Sequence, residues 1–143
     1  MRKSAIGAIL CVLMMGAVPV AAAQQIHRLS TQADLLAIGT SEVFEVLTRA
    51  GMGKADYLCA AGDFAKVRLN ASNNDRLVVV YSRSPSQFVA NRSAIGFRLA
   101  GSDVKTRSNW LLGPREGQVT SVGHARGLCN VARANRRLDD DDD

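Results

Sequence analysis

The chain is poor in the residues that usually announce chemistry. Only His27 and His124 are present, and neither has a cysteine, histidine or carboxylate at the short spacing of a zinc site. No Gly-x-Ser-x-Gly elbow occurs, so a Ser-His-Asp hydrolase can be assembled only from His124 and serines too common to be informative. Gly51-Met52-Gly53-Lys54 has the glycines and the lysine of a phosphate loop but neither the Walker spacing nor a following Ser or Thr, and it reads as a turn. No cofactor signature is present. Aromatic residues make up 5% of the chain, which argues against a stacking platform for nucleic acid. After residue 24 no apolar run approaches the ~20 residues of a membrane-spanning helix.

What the sequence does have starts at its first residues. Arg2 and Lys3 precede an apolar stretch from Ile6 to Val18, then Pro19 and the small residues Ala21-Ala22-Ala23. This is the three-part pattern of a cleavable secretory signal over residues 1–23, with processing expected after Ala23. The apolar stretch is too short for an anchor. Cys11 does not fit a lipoprotein site, because it lies early and follows the bulky Leu10. The expectation is an exported protein, periplasmic or extracellular, without a transmembrane anchor.

The remaining 120 residues suffice for one domain. We place it at 24–138, followed by an acidic disordered tail, Asp139 to Asp143. Loss of Arg2 and Lys3 leaves 16 basic residues against 13 acidic ones, and five of those acids are the tail, so the body carries +8. Aspartates without intervening spacers or a turn glycine do not make a calcium loop. Arginine dominates the basic set. Genome composition explains that, as does recognition of phosphate or carboxylate, which arginine performs better than lysine. Arg126, Arg133, Arg136 and Arg137 are the candidate anion-binding residues. Beyond the signal only Cys59 and Cys129 remain, and in an oxidising compartment they are expected to form one disulfide.

Along the body, Gln24 to Ile38 is undecided, with Thr31 suited to capping a short helix. Glu42 to Thr48 fits a helical face, but its Val, Phe and Thr favour a strand. Lys54 to Leu69 is the clearest helix: Tyr57, Ala60, Ala61, Phe64 and Val67 recur at helical spacing, with Lys54, Asp56, Asp63 and Lys66 on the other side. Gly62 within it suggests close approach of a strand. Asn70 to Asp75 is a turn. Arg76 to Ser82 is a continuous apolar run, read as a central strand buried on both faces. Ser93 to Ala100 alternates and reads as a half-buried strand. Trp110-Leu111-Leu112 reads as an apolar plug, Gln118 to Val122 as a last strand, and Gly127 to Leu138 as a short helix. The core should contain Leu58, Phe64, Val78, Val80, Ile95, Phe97 and Leu99. The fold class is α+β: one main helix packed on a small, mostly antiparallel sheet, with one disulfide.

The segments Tyr57-Leu58-Cys59-Ala60-Ala61-Gly62-Asp63-Phe64-Ala65 and Arg92-Ser93-Ala94-Ile95-Gly96-Phe97 resemble short uncharacterised exported proteins of alphaproteobacteria. The resemblance covers the middle third of the chain. It implies a Gram-negative periplasmic or secreted setting and carries no activity and no functional residues. The expected function is a non-enzymatic binding module for a protein or cell-envelope component. The first alternative is a polyanion binder for nucleic acid or lipopolysaccharide phosphate, resting on the +8 body. The second is a small hydrolase.

Overall fold

The computed structural model describes residues 23–108 and 113–141. The Trp110-Leu111-Leu112 plug, nearly all of the signal segment and the last two aspartates lie outside the described residues. The elements in chain order are β1 (His27–Ser30), β2 (Leu36–Gly39), β3 (Phe44–Leu47), α1 (Lys54–Arg68), β4 (Arg76–Pro85), β5 (Ser93–Ala100), β6 (Val119–Ser121), α2 (Val122–Gly127) and α3 (Cys129–Asp141). The six strands form one sheet in the order β1-β2-β3-β5-β4-β6. Every pairing is antiparallel, so the fold is the expected α+β type. Glu42 to Thr48 resolves as a strand, because Phe44 and Val46 face the helices from it while pairing with Phe97 and Ile95.

One sheet face carries Ala37, Phe44, Val46, Leu77, Val79, Ile95 and Phe97, and α1 covers it. Phe44 stacks between Phe64 of α1 at 4.6 Å and Phe97 of β5 at 5.7 Å. Helices α2 and α3 pack on α1 in turn. The Cys59–Cys129 disulfide ties the middle of α1 to the first residue of α3. α1 is therefore covered on more than one side, and every residue from Asp56 to Ala65 is buried. This corrects the expected solvent face: Asp56 and Asp63 are inside, 6% and 5% exposed. It also corrects the reading of Gly62. The close neighbour is α2 rather than a strand, since an added Cβ would lie 3.0 Å from Ala125 Cβ and from the Arg126 backbone nitrogen.

The other face holds Ile38, Leu47 and Ala94, with Leu36, Phe88 and Val89 packed against them. Phe88 and Val89 belong to the β4–β5 loop, which folds back over the sheet. Val78 is buried on this face, so β4 is covered on both sides over Leu77–Val79. It sits between β5 and β6, one strand in from the edge, while β3 and β5 form the middle. Val80 and Leu99 are only half-buried, contrary to expectation. The register explains Val80: β4 bulges between Val79 and Tyr81, which pairs Val79 with Phe97 and Tyr81 with Gly96. The extra residue turns Tyr81 onto the face opposite Val79. Its ring occupies the space a Cβ on Gly96 would need, 2.3 Å away.

Gln24 to Ile38 forms two strands and a tight turn. Thr31 closes that turn rather than capping a helix: its backbone N–H and its hydroxyl both donate to the Leu35 carbonyl, at 3.0 and 2.8 Å. At the other end of the chain, α3 continues past Leu138 to Asp141, and the single residue Leu128, which caps α2, separates the two helices.

Candidate functional site

A cleft of about 650 Å³ opens where the β1–β2 turn, the start of α1 and the end of α3 meet. Its walls include Asp34, Arg49, Asp56, Asn135, Arg136 and Asp140. Asp34 and Asp56 are positioned by local chemistry. Asp34 adopts φ +53°, a left-handed conformation that aspartate tolerates better than most residues, and this turns its side chain outward. Asp56 is the third residue of α1, and its Oδ2 accepts the Gly53 N–H at 2.8 Å, which satisfies a backbone donor at the helix start.

Arg136 is the hub. Its Nε lies 3.2 Å from Asp34 Oδ2, and its Nη2 donates to the Gln32 carbonyl at 2.8 Å. Its Nη1 lies 3.9 Å from Asp56 Oδ1, within ion-pair range but beyond a hydrogen bond. Both of these last atoms are buried and lack a hydrogen-bond partner. Beside them Asp63 accepts the Gln32 backbone N–H at 3.0 Å and its Nε2 at 3.1 Å. Two acids of α1 and one arginine of α3 thus clamp the β1–β2 turn onto the helices. A carboxylate with oriented donors and a planar guanidinium with two of its three nitrogens committed have little freedom to rearrange.

The other candidate arginines are placed differently. Arg133 and Arg137 are exposed, four residues apart on one face of α3, and Arg133 donates to Asn130 Oδ1 at 2.5 Å. Arg126 lies on α2 against Gly62, with its Nε buried and unpartnered. Arg136 alone of the four lines the cleft, and its charge is already met by Asp34 and Asp56. The cleft residues Asp34, Arg49, Asp56 and Asn135 were not legible as site residues. The one local signal was an acid three residues after Gly53, the spacing of a capping box.

A smaller cleft of about 260 Å³ lies between α1, α2 and β6, walled by Lys54, Leu58, Thr106, Gln118, Ser121 and His124. Gln118 Oε1 is buried there without a partner. Ser121 and His124 do not form a nucleophile–base pair in it: Ser121 Oγ accepts the His124 backbone N–H at 3.1 Å as the cap of α2. Among the described residues no group of three or more His, Cys, Asp or Glu side chains is placed to hold a metal. No helix among them is long and apolar enough to cross a membrane.

A third polar centre lies under the β4–β5 loop. Glu45 of β3 is fully buried. Its Oε1 accepts the Tyr81 hydroxyl at 2.5 Å and the Gln87 N–H at 2.7 Å, and its Oε2 accepts the Ser86 hydroxyl. Ser86 Oγ in turn accepts the Phe88 and Val89 N–H groups at 3.1 and 2.9 Å. Burial first, then the hydrogen bond and charge of Glu45, hold the Tyr81 phenol well above its ordinary ionisation range. No protein-family model, no curated protein and no solved structure matches the chain.

Proposed function

We propose that this protein is an exported, non-enzymatic binding module that acts in the periplasm or outside the cell on a protein or cell-envelope component. The observation that carries the reading is the polar cleft at Asp34, Arg49, Asp56 and Arg136, an open concavity whose walls are fixed by hydrogen bonds and by a helix layer tied with one disulfide. The amino-terminal signal pattern and the pairing of both body cysteines support an oxidising compartment. The polyanion alternative loses support at this place. A phosphate in the cleft would face three carboxylates, while Arg136 already serves two of them.

The test uses the protein as its producing host releases it. Incubation with solubilised envelope material should slow hydrogen exchange at residues 49–56 and 135–138. Ala50→Trp, at an exposed position on the cleft wall, should abolish that protection without changing the melting temperature. Equal protection in Ala50→Trp would place binding elsewhere. Exchange that slows only at residues 133–137 and only at low salt would favour the polyanion reading.

A further inference from the structure

Resting on the reading above, we infer that the cleft between α1, α3 and the β1–β2 turn takes a neutral, hydroxyl-rich ligand of the saccharide class, with one ligand hydroxyl bridging Asp56 Oδ1 and Arg136 Nη1. Asp56 is 94% buried, and its Oδ2 is spent on Gly53. Arg136 spends Nε on Asp34 and Nη2 on Gln32. What remains on the cleft floor is one acceptor and one donor 3.9 Å apart, neither hydrogen-bonded. Leaving such a pair unmet costs free energy, and a partner that meets both recovers it.

The geometry selects among partners. A single oxygen at ~2.8 Å from each atom spans 3.9 Å, and a hydroxyl both donates to the carboxylate and accepts from the guanidinium. An ammonium would satisfy Asp56 and be repelled by Arg136. A carboxylate or phosphate would do the reverse and meet Asp34 and Asp140 as well. A trans secondary amide points its N–H and C=O in opposite directions and cannot serve both atoms. The rim repeats this mixed character: Arg49 and Asn135 supply donors, while Asp34 and Asp140 supply acceptors. A polyol uses both kinds at once. The volume of about 650 Å³ falls within the roughly 300–1,000 Å³ of small-molecule clefts. The two atoms are covered in the free protein, so a bridging hydroxyl reaches them through a small opening of the Nη1 edge, with the bonds of Arg136 to Asp34 and Gln32 kept.

The experiment is an amide chemical-shift titration of the oxidised protein with β-1,4-linked N-acetylglucosamine oligomers, with maltotetraose and with inorganic phosphate, and a sedimentation assay with purified peptidoglycan sacculi. At least one of the saccharides should shift Gly51, Gly53, Asp56 and Asn135 saturably, and phosphate should not. Sedimentation with sacculi would assign the hydroxyls to envelope glycan, whereas shifts by oligomers without sedimentation would assign them to free sugar. Asp56→Asn should weaken binding about tenfold or more, the loss of one hydrogen bond to a charged group. Because Asp56 also holds the start of α1, the exposed Asn135→Ala keeps the test readable should the first variant fail to fold. Asn135→Ala should weaken binding severalfold at unchanged stability. If no saccharide and no sacculus engages these residues, the inference is overturned. Should envelope extract still protect residues 49–56 in that case, the binding-module reading survives without it.

Discussion

The two faces of the sheet are closed by different means. On the helix face, closure is mainly apolar: Phe44, Phe64, Phe97, Leu77 and Val79 belong to one buried cluster, and α2 and α3 seal the outer side of α1. On the other face a loop does the work, and it is anchored by charge. Glu45 lies buried at the centre and collects a tyrosine hydroxyl, a serine hydroxyl and a backbone N–H, while Phe88 and Val89 add a small apolar margin. Apolar closure is non-directional and spreads over many contacts. Closure on a buried carboxylate is directional and concentrates the energy in one residue, because each unmet donor has a cost. The two faces should therefore fail differently.

The largest effect should come from the helix face. Phe97→Ala removes a ring that touches Phe44 and approaches Tyr57, and it should cost ~3–5 kcal/mol of global stability. Denaturant unfolding checks this, and a loss under ~1 kcal/mol would mean that the core relaxes far more than its packing suggests. Cys59→Ser should follow, at ~2–4 kcal/mol, by freeing a 70-residue loop that ties α1 to α3. Thiol labelling of the folded parent should find Cys59 and Cys129 unreactive. Labelling of both would remove the pairing.

Glu45→Ala should cost less globally, ~1–3 kcal/mol, and the damage should be local. Ser86, Gln87 and Tyr81 lose their acceptor together, so hydrogen exchange should speed up across residues 86–92 while α1 stays protected. A uniform loss of protection over the whole sheet would break the contrast between the two faces, since it would show the loop and the helix layer to be one cooperative unit.

How much of this was legible follows from the range of each signal. α1 and β5 were readable because their periodicities are local: Tyr57, Ala61 and Phe64 at helical spacing, and Ile95, Phe97 and Leu99 at alternate positions. The pairing of Cys59 with Cys129 needed only a count. The buried acids were not readable. Asp56 and Asp63 look like a solvent face from within their own helix, and only α3 and the β1–β2 turn, far away in sequence, reverse that. Tyr81 was lost for a related reason. Alternation from Leu77 and Val79 puts it under the helix, and a bulge seen only in the pairing with Gly96 turns it toward Glu45. The cleft went unseen because its floor joins Asp56 to a residue 80 positions later, Arg136.

The smallest expected effect concerns the tyrosines, one on each face, and it shows only at high pH. Tyr57 and Tyr81 are the two tyrosines of the chain, so a phenol absorbance titration reads both without interference. Burial under the helix layer pushes Tyr57 up to about 12. Burial and then the bond to Glu45 push Tyr81 higher still. Each phenol therefore holds its proton more tightly in the folded protein than in the unfolded chain. The unfolded chain loses those protons from about pH 10, the folded one does not, and stability must fall as pH rises above that value, with no effect below it. The expected titration shows little phenolate near pH 10, followed by both ionising together as the protein unfolds. Glu45→Gln keeps the shape of the side chain but removes its charge, and should bring Tyr81 down while leaving Tyr57 where it is. If instead one phenol titrates near pH 10 in the folded parent, its face is open to solvent. Loss at Tyr81 would mean that the loop is not held shut by Glu45, and the contrast drawn above would then rest on the helix face alone.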